Sequence, residues 1–394
     1  MEKTSVVVVG GGYAGVLAAN RLTRRRDVAV TLVNPRPEFV ERIRLHQLVA
    51  GSHPAVVDPR RVLAGRVRLV VGTAALIDAP GRRVELVDGS ALGYDHLVYA
   101  VGSGSGTPSV PGAAEHALSL ADLEEAQRLR RVLDARPGRP VMVVGAGPTG
   151  IETAAELAGA GRRVTLVTGG VLGPSLHARG RAYVARRLAA LGVAVLDGPG
   201  SRVTRVGPEV VELAEGRVLV SAVTIWTAGF GVPDLARRSG LRTDVAGRLL
   251  TDETLTSVDD DRVVAAGDSA APSGVAFRMS CQAAGPLGVH AADTVLRRVA
   301  GEPPRPVALG FVGQCLSLGH HDGVVQLAHR DDTARPTYLG GRTGARLKEL
   351  VCRGTVQQLA WEARRPGTYV VPGWVADPHR AAAVEAARVV EPTG

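Results

Sequence analysis

Residues 6–22, VVVVGGGYAGVLAANRL, and 28–34, VAVTLVN, return later in the chain as residues 141–157, VMVVGAGPTGIETAAEL, and 162–168, RRVTLVT. Both copies pass from a β-branched run through G-x-G-x-x-G into a helix-period pattern and then into a second apolar strand. That order suits a dinucleotide. The first glycine (Gly10, Gly145) permits the tight strand-to-helix turn, the second (Gly12, Gly147) lets backbone approach a pyrophosphate, and the third (Gly15, Gly150) lets the helix pack on the strand. The helix start then offers free N–H groups and the positive end of its dipole to the phosphates. One such motif is weak, because glycine turns occur without ligands. Two of them in the same strand, turn, helix and strand context point to an α/β chain with two Rossmann-like nucleotide-binding units.

An acidic residue about 20 positions after the motif would hold a ribose diol, but Asn34 and Thr168 stand at those places. Asn34 can still donate to and accept from ribose hydroxyls. Thr168 leaves the second unit open to either NADH or NADPH, with Arg179 or Arg181 as candidates for a 2′-phosphate and solvated helix surface as the alternative for both.

Working outward, residues 67–80 and 82–103 read as short strands with a turn at Asp88 and Gly89, closing on a buried strand at Leu97 to Ala100. Residues 221–230, SAVTIWTAGF, repeat that closing strand, with Ala228 and Gly229 echoing Val101 and Gly102. After EPPRP (302–306) the pattern changes. Residues 307–327 read as two strands around Asp322 and Gly323, and 344–367 as a helix with Leu347, Leu350 and Val351 on its apolar face.

Composition excludes several classes. With 394 residues the chain is long enough for two or three domains, and 45% hydrophobic with 22% charged residues is ordinary globular usage. Cys281, Cys315 and Cys352 are widely separated, so neither a zinc site nor a disulfide framework is expected, and no metal is assigned. The net charge of +9 invites nucleic acid, but the basic residues are almost all Arg, Lys3 and Lys348 being the only lysines. Those arginines are scattered, and aromatics are 3%, so no nucleic-acid function is expected. Neither a signal peptide nor a transmembrane run is evident, which favours a cytoplasmic protein with at most weak membrane association. The Ala-rich final segment, 377–394, lacks Trp, Phe and Leu for a strong interfacial helix.

At residues 259–270, DDDRVVAAGDSA, a wider combination is complete. GGGYAG, GAGPTG, the AVG and TAG strand ends and AAGD together resemble the two-dinucleotide-binding-domain flavoproteins of the pyridine nucleotide-disulfide oxidoreductase superfamily. More narrowly, GPTGIETAAELA (147–158) and MSCQAAGPLGVHAAD (279–293) resemble type II NADH dehydrogenases and their NADH dehydrogenase-like relatives.

The resemblance implies FAD in the first unit and NADH or NADPH in the second, which is inserted into the first. The FAD domain would comprise residues 1–110 and 245–300, the NAD(P)H domain 111–244, and a small α+β interface or substrate domain 301–394. Carried over residue by residue, the cofactor contacts are Gly10, Gly12, Tyr13, Ala14, Gly15, Asn34, Arg44, Ala74, Gly102, Gly145, Gly147, Gly150, Thr168, Gly229, Gly267 and Asp268. Glu152 corresponds to a glutamate near nicotinamide and flavin, and Gln282 to the first of two glutamines near a quinone; both are assigned catalytic roles. His46, in the same loop as Arg44, is a further candidate for touching flavin or substrate, with a structural role as the alternative. Pro286 replaces the second glutamine, Cys281 stands where Ala is common and reads as a small packed residue, and Pro286 is expected in the first turn of its helix.

The implied activity is hydride transfer from nicotinamide to flavin N5, followed by electron transfer to a quinone or another small-molecule acceptor. A tailoring flavoenzyme acting on a specialised small molecule, a redox-sensing flavoprotein with a degenerate NAD(P) site, and a homodimer all stay open.

Overall fold

The computed structural model describes residues 3–106 and 108–390. The first glycine motif joins β1 (Thr4–Val9) to α1 (Tyr13–Leu22), which returns through β2 (Val28–Asn34). Helix α2 (Leu45–Ala50) and β3 (Val67–Val71) follow, then an antiparallel meander of β4 (Ala74–Asp78), β5 (Arg83–Leu86) and β6 (Ala91–Gly93), and the closing strand β7 (His96–Tyr99). After α3 (Leu123–Asp134) the unit repeats. It contains β8 (Val141–Val144), α4 (Pro148–Gly159), β9 (Val164–Val167), α5 (Ala178–Ala190) and β10 (Ala194–Leu196), then the meander β11 (Val203–Val206), β12 (Val210–Leu213) and β13 (Val218–Val220), and finally β14 (Val223–Trp226). The chain continues through β15 (Val263–Ala265) and α6 (Cys281–Val299) to a last layer of β16 (Gly313–Ser317), β17 (Gly323–Ala328), β18 (Ala334–Gly340) and α7 (Gly341–Arg364).

Each unit is built on a five-stranded parallel sheet. In the first the order is β15-β7-β1-β2-β3, so a strand from late in the sequence forms one edge beside β7. The second has the two-residue strand Ala117–Leu118, then β14-β8-β9-β10. Val6 to Val8 and Val141 to Val143 are buried to 2% exposure or less, as central strands covered on both faces require. The two crossings between units pair with one another: Gly104 with Gly231, and Ser105 with Phe230, antiparallel.

Helix α1 is buried along its whole length, because α6 covers the side away from the sheet. Gly288 permits that approach, since a Cβ there would stand 2.2 Å from the carbonyl oxygen of Ala14. From the opposite end of the chain, Glu362 of α7, fully buried, pairs with the equally enclosed Arg21 of α1 at 3.1 Å, and Arg21 also donates to the Tyr369 carbonyl at 2.8 Å.

Three expectations need correction. Pro286 lies six residues into α6, not in its first turn, and the helix starts at Cys281 with Ser280 accepting from the Ala283 N–H at 3.3 Å. Position 286 lies beyond the first four N–H groups of the helix, so its missing N–H removes one helical bond, that to the Gln282 carbonyl. The apolar face read for α7 is also displaced: Leu350 is 64% and Val351 38% exposed, whereas Gly344, Cys352, Leu359, Ala360 and Glu362 point inward. Finally, the last layer has a third strand, β18, beyond the two read around Asp322 and Gly323. A helix does form at Arg380–Val390 in the Ala-rich final segment, and residues 391–394 lie outside the described ones. Among the described residues no helix is long and apolar enough to cross a membrane.

Candidate functional site

At the carboxyl end of the first sheet, the three motif glycines divide their work as their spacing predicts. Gly10 has φ +107°, and a Cβ on it would sit 2.2 Å from the Ala100 carbonyl oxygen; one on Gly15 would sit 1.8 Å from that of Gly10. Gly12 differs from both, with nothing within 4 Å of an added Cβ. It is the N-cap of α1 and supplies no side-chain cap, so the first-turn N–H groups of Tyr13, Ala14 and Gly15 face an open approach.

Around this opening the side chains form a rim. Asn34 accepts from the Gly11 N–H at 2.9 Å and donates to the Arg36 carbonyl at 2.6 Å, so it braces the glycine turn. Asp268 accepts from Ser103 Oγ at 2.7 Å, and Ser103 in turn accepts from Arg42 Nη1 at 3.2 Å, joining the loops after β7 and β15. A Cβ on Gly267 would lie 3.0 Å from that of Ala14, which puts this turn against the start of α1. The Tyr13 ring meets Phe39 edge-on at 5.1 Å, and burial holds its hydroxyl protonated well above its ordinary range. Ala74 opens the meander strand β4. Arg44 donates to Glu41 at 3.2 Å, Gln47 at 2.9 Å, and both oxygens of Glu349 at 2.9 and 3.0 Å.

The second unit repeats the arrangement. A Cβ on Gly145 would stand 2.3 Å from Thr227 Oγ1, one on Gly150 2.2 Å from the Gly145 carbonyl oxygen, and one on Gly147 in open space. Gly147 caps α4, again without a side chain. Gly229 (φ +77°) reproduces Gly102 (φ +71°) at the end of the closing strand. A cavity of about 340 Å³ opens beside this turn, lined by Thr149, Trp226, Thr227, Phe230, Ser119 and Glu125.

Thr168 is not alone at its strand end. Asp197, just past the end of β10, accepts from Thr168 Oγ1 at 3.0 Å and from the N–H groups of Leu172 and Gly198 at 3.2 and 2.9 Å, all through Oδ1. Arg181 is turned onto the Leu176 carbonyl, whereas Arg179 is exposed.

Glu152, on α4 just past the second glycine turn, is buried to 7% and does not face solvent. Its Oε1 receives Lys348 Nζ of α7 at 2.9 Å and the Ser317 N–H of β16 at 2.9 Å, while Oε2 lies 3.9 Å from His46 Nδ1 of α2. Burial alone would raise its pKa, but Lys348, His46 and the Ser317 N–H hold it below the ordinary carboxylate value. For His46 burial dominates and lowers the pKa, which keeps the imidazole neutral. Gln282 is a strut: with its amide oriented to satisfy both contacts, it donates to the Gly313 carbonyl at 2.8 Å and accepts from the Val312 N–H at 3.0 Å. Burial raises the thiols of Cys281, Cys315 and Cys352, all free, so none is a ready thiolate.

Sequence reasoning missed Arg42, Ser103, Lys348 and Asp197. Ser103 had a signal, since it directly follows the strand-end glycine; Lys348 had a weaker one as one of two lysines in a chain that otherwise uses Arg.

The profile of the pyridine nucleotide-disulphide oxidoreductase family matches residues 4–292. The chain belongs to that family. It is 32% identical over 352 residues to an NADH dehydrogenase-like protein of Mycobacterium tuberculosis, covering 80% of this chain and 86% of the relative. The type II NADH:quinone oxidoreductase Ndh of the same species is 29% identical over 345 residues, 76% and 73% of the two chains. Among solved structures, the sulfide:quinone oxidoreductase of Aquifex aeolicus shares the fold, with TM-score 0.76 at 18% identity over 91% of this chain and 92% of that one. Membership makes the protein an oxidoreductase of this family with two Rossmann-type units.

Proposed function

We propose that this oxidoreductase binds FAD at the first glycine turn and NADH at the second, and passes reducing equivalents to a quinone. The observation that carries the reading is the pair of uncapped helix starts, α1 and α4, each behind a tight glycine turn whose middle glycine, Gly12 or Gly147, leaves the approach open. An uncapped N-terminus in open space suits a pyrophosphate, so the residues present fit two dinucleotides. The discontinuous first unit, closed by β15, would be the FAD domain, and the unit from Ala117 to β14 the NADH domain. The quinone comes from the relatives' names and is tested with the rest.

In this reading the N–H groups of Tyr13, Ala14 and Gly15 bind the FAD pyrophosphate, and Asp268, fixed by Ser103 and Arg42, accepts a ribityl hydroxyl. When bound, FAD supplies the two-electron chemistry between nicotinamide and acceptor. The N–H groups at the start of α4 hold the second pyrophosphate. Asp197 supplies at the Thr168 strand end the carboxylate that the motif lacks, and its negative charge supports NADH over NADPH by repelling a 2′-phosphate. Lys348 and the Ser317 N–H keep Glu152 as a buried carboxylate beside the second glycine turn, where its charge would orient the nicotinamide.

The test is anaerobic mixing of the flavin-loaded protein with NADH and NADPH separately, following flavin absorbance. Rapid bleaching by NADH, and reoxidation by menadione, is the expected result. A bound flavin that neither nucleotide reduces would overturn the reading.

A further inference from the structure

The turn between β16 and β17 carries His320 and His321, and with the first turns of α7 it lines an open cleft of about 710 Å³. Arg342, Arg346, Glu349 and Arg353 form the helix side, at spacings that keep them on one face of α7. Both walls are tied to α5. The Tyr183 hydroxyl donates to Asp322 Oδ1 at 2.6 Å and accepts the Gly341 N–H at 2.6 Å, so one side chain joins the histidine turn to the helix start. Arg187 holds the other oxygen of Asp322 at 2.9 Å. Turn and helix also touch directly, since a Cβ on Gly344 would stand 2.3 Å from the Gly323 carbonyl oxygen. The cleft is thus shaped by the fold itself.

Its charges do not balance within the protein. Glu349 is the single carboxylate among the lining residues, and Arg44 takes both its oxygens while Arg353 adds a contact at 2.7 Å. Arg342 and Arg346 make no hydrogen bond or ion pair among the described residues. They repeat one charge at i, i+4, and Arg342 stands in the first turn, where the helix dipole disfavours a cation. At the same spacing the chain elsewhere places an acid beside an arginine, as in Arg130 with Asp134 and Arg353 with Glu349. We propose that this cleft binds a small soluble phosphate or diphosphate ester, with Arg342 and Arg346 forked on its phosphate oxygens and His321 donating from the turn. One arginine fork satisfies a carboxylate in its plane. A phosphate presents oxygens in three directions, so it can be held from helix and turn together. The site is separate from the two glycine turns and requires no bound flavin.

The test is calorimetric titration of the flavin-loaded protein with inorganic diphosphate, NAD⁺ being present to occupy the second glycine turn. One diphosphate per chain is the expected stoichiometry. Arg342→Gln with Arg346→Gln should weaken binding by about tenfold or more, whereas Arg139→Gln, which removes an exposed arginine elsewhere, should leave it unchanged. Lys at both positions keeps the charge but loses the forks, and should fall between. Diphosphate should also raise the melting temperature of the unaltered protein and not that of the double Gln variant. Independently of any substitution, NMR signals of the His321 ring should shift as diphosphate is added, and those of His290, which lines no part of the cleft, should stay in place. Equal binding by the double Gln variant, or His321 signals indifferent to diphosphate, overturns the site. Sedimentation with phosphatidylglycerol vesicles that the double Gln variant loses, without any response to diphosphate, would assign the arginines to a lipid surface and overturn the soluble ligand.

Discussion

Lys348 Nζ lies 2.9 Å from Glu152 Oε1, with the two side chains only 12% and 9% exposed, so a helix near the chain end neutralises a helix that starts at the second glycine turn. Removing one partner leaves the other charge buried and uncompensated. Lys348→Met should therefore cost about 3–5 kcal/mol in urea unfolding at pH 7. Glu152→Gln with Lys348→Met together should cost less than the single change, since neither charge then remains. Equal losses for single and double variants would contradict the pairing.

Acid should weaken the fold well before carboxylates titrate. Burial is the largest influence on His46, His96 and His290 and lowers the pKa of each. The unfolded chain thus takes up protons at these residues from about pH 6.5 downward while the folded chain resists. Their contribution to stability is complete above that value and is lost as pH falls through the depressed folded values. Melting temperature measured from pH 8 to pH 5 should drop across that range, and His46→Gln should reduce the slope.

The middle and third glycines of the first motif should separate binding from folding. An Ala at Gly12 meets nothing in the protein and keeps an ordinary backbone conformation (φ −82°), so Gly12→Ala should fold with an unchanged melting temperature yet lose flavin on gel filtration. In Gly15→Ala the new methyl would press on the Gly10 carbonyl oxygen at 1.8 Å, so the turn itself should open. That variant should be destabilised by about 1–3 kcal/mol even as apoprotein. Gly147→Ala should retain flavin and lose bleaching by NADH.

Nucleotide preference should follow Asp197. The protein is expected to favour NADH over NADPH in flavin reduction. Asp197→Asn, which keeps an oxygen acceptor for Thr168 and the two N–H groups while removing the charge, should narrow the ratio by about tenfold. Preference for NADPH in the unaltered protein would refute this role.

The twin glycine motifs were legible because each is local: a strand, a turn and a helix whose pattern is set by neighbours in sequence. Gly102 and Gly229 were legible for the same reason, as repeated strand ends. Contacts made across the chain were not. Lys348 reaches Glu152, Arg42 reaches Ser103 and Asp197 reaches Thr168 only after sheets and layers assemble, and no spacing rule relates those positions. The inward face of α7 was misread because periodicity favours its leucines, whereas the layer beneath is polar at Glu152 and Ser317, so Lys348 and Cys352 turn inward and Leu350 is left outside. Pro286 was misplaced because the packing of α6 on α1, with Ala283, Ala284, Leu287 and Ala291 in the shared core, outweighs the cost of about 3 kcal/mol of an interior proline.

The Arg21–Glu362 clasp bears on how the chain matures as it leaves the ribosome. Arg21 is synthesised well before its buried partners, Glu362 and the Tyr369 carbonyl. At roughly ten residues per second α1 waits about half a minute for them. The edge strand β15 is late too, so the first nucleotide-binding unit to be translated is the later one to be completed, while the second, contiguous in sequence, can close on its own sheet first.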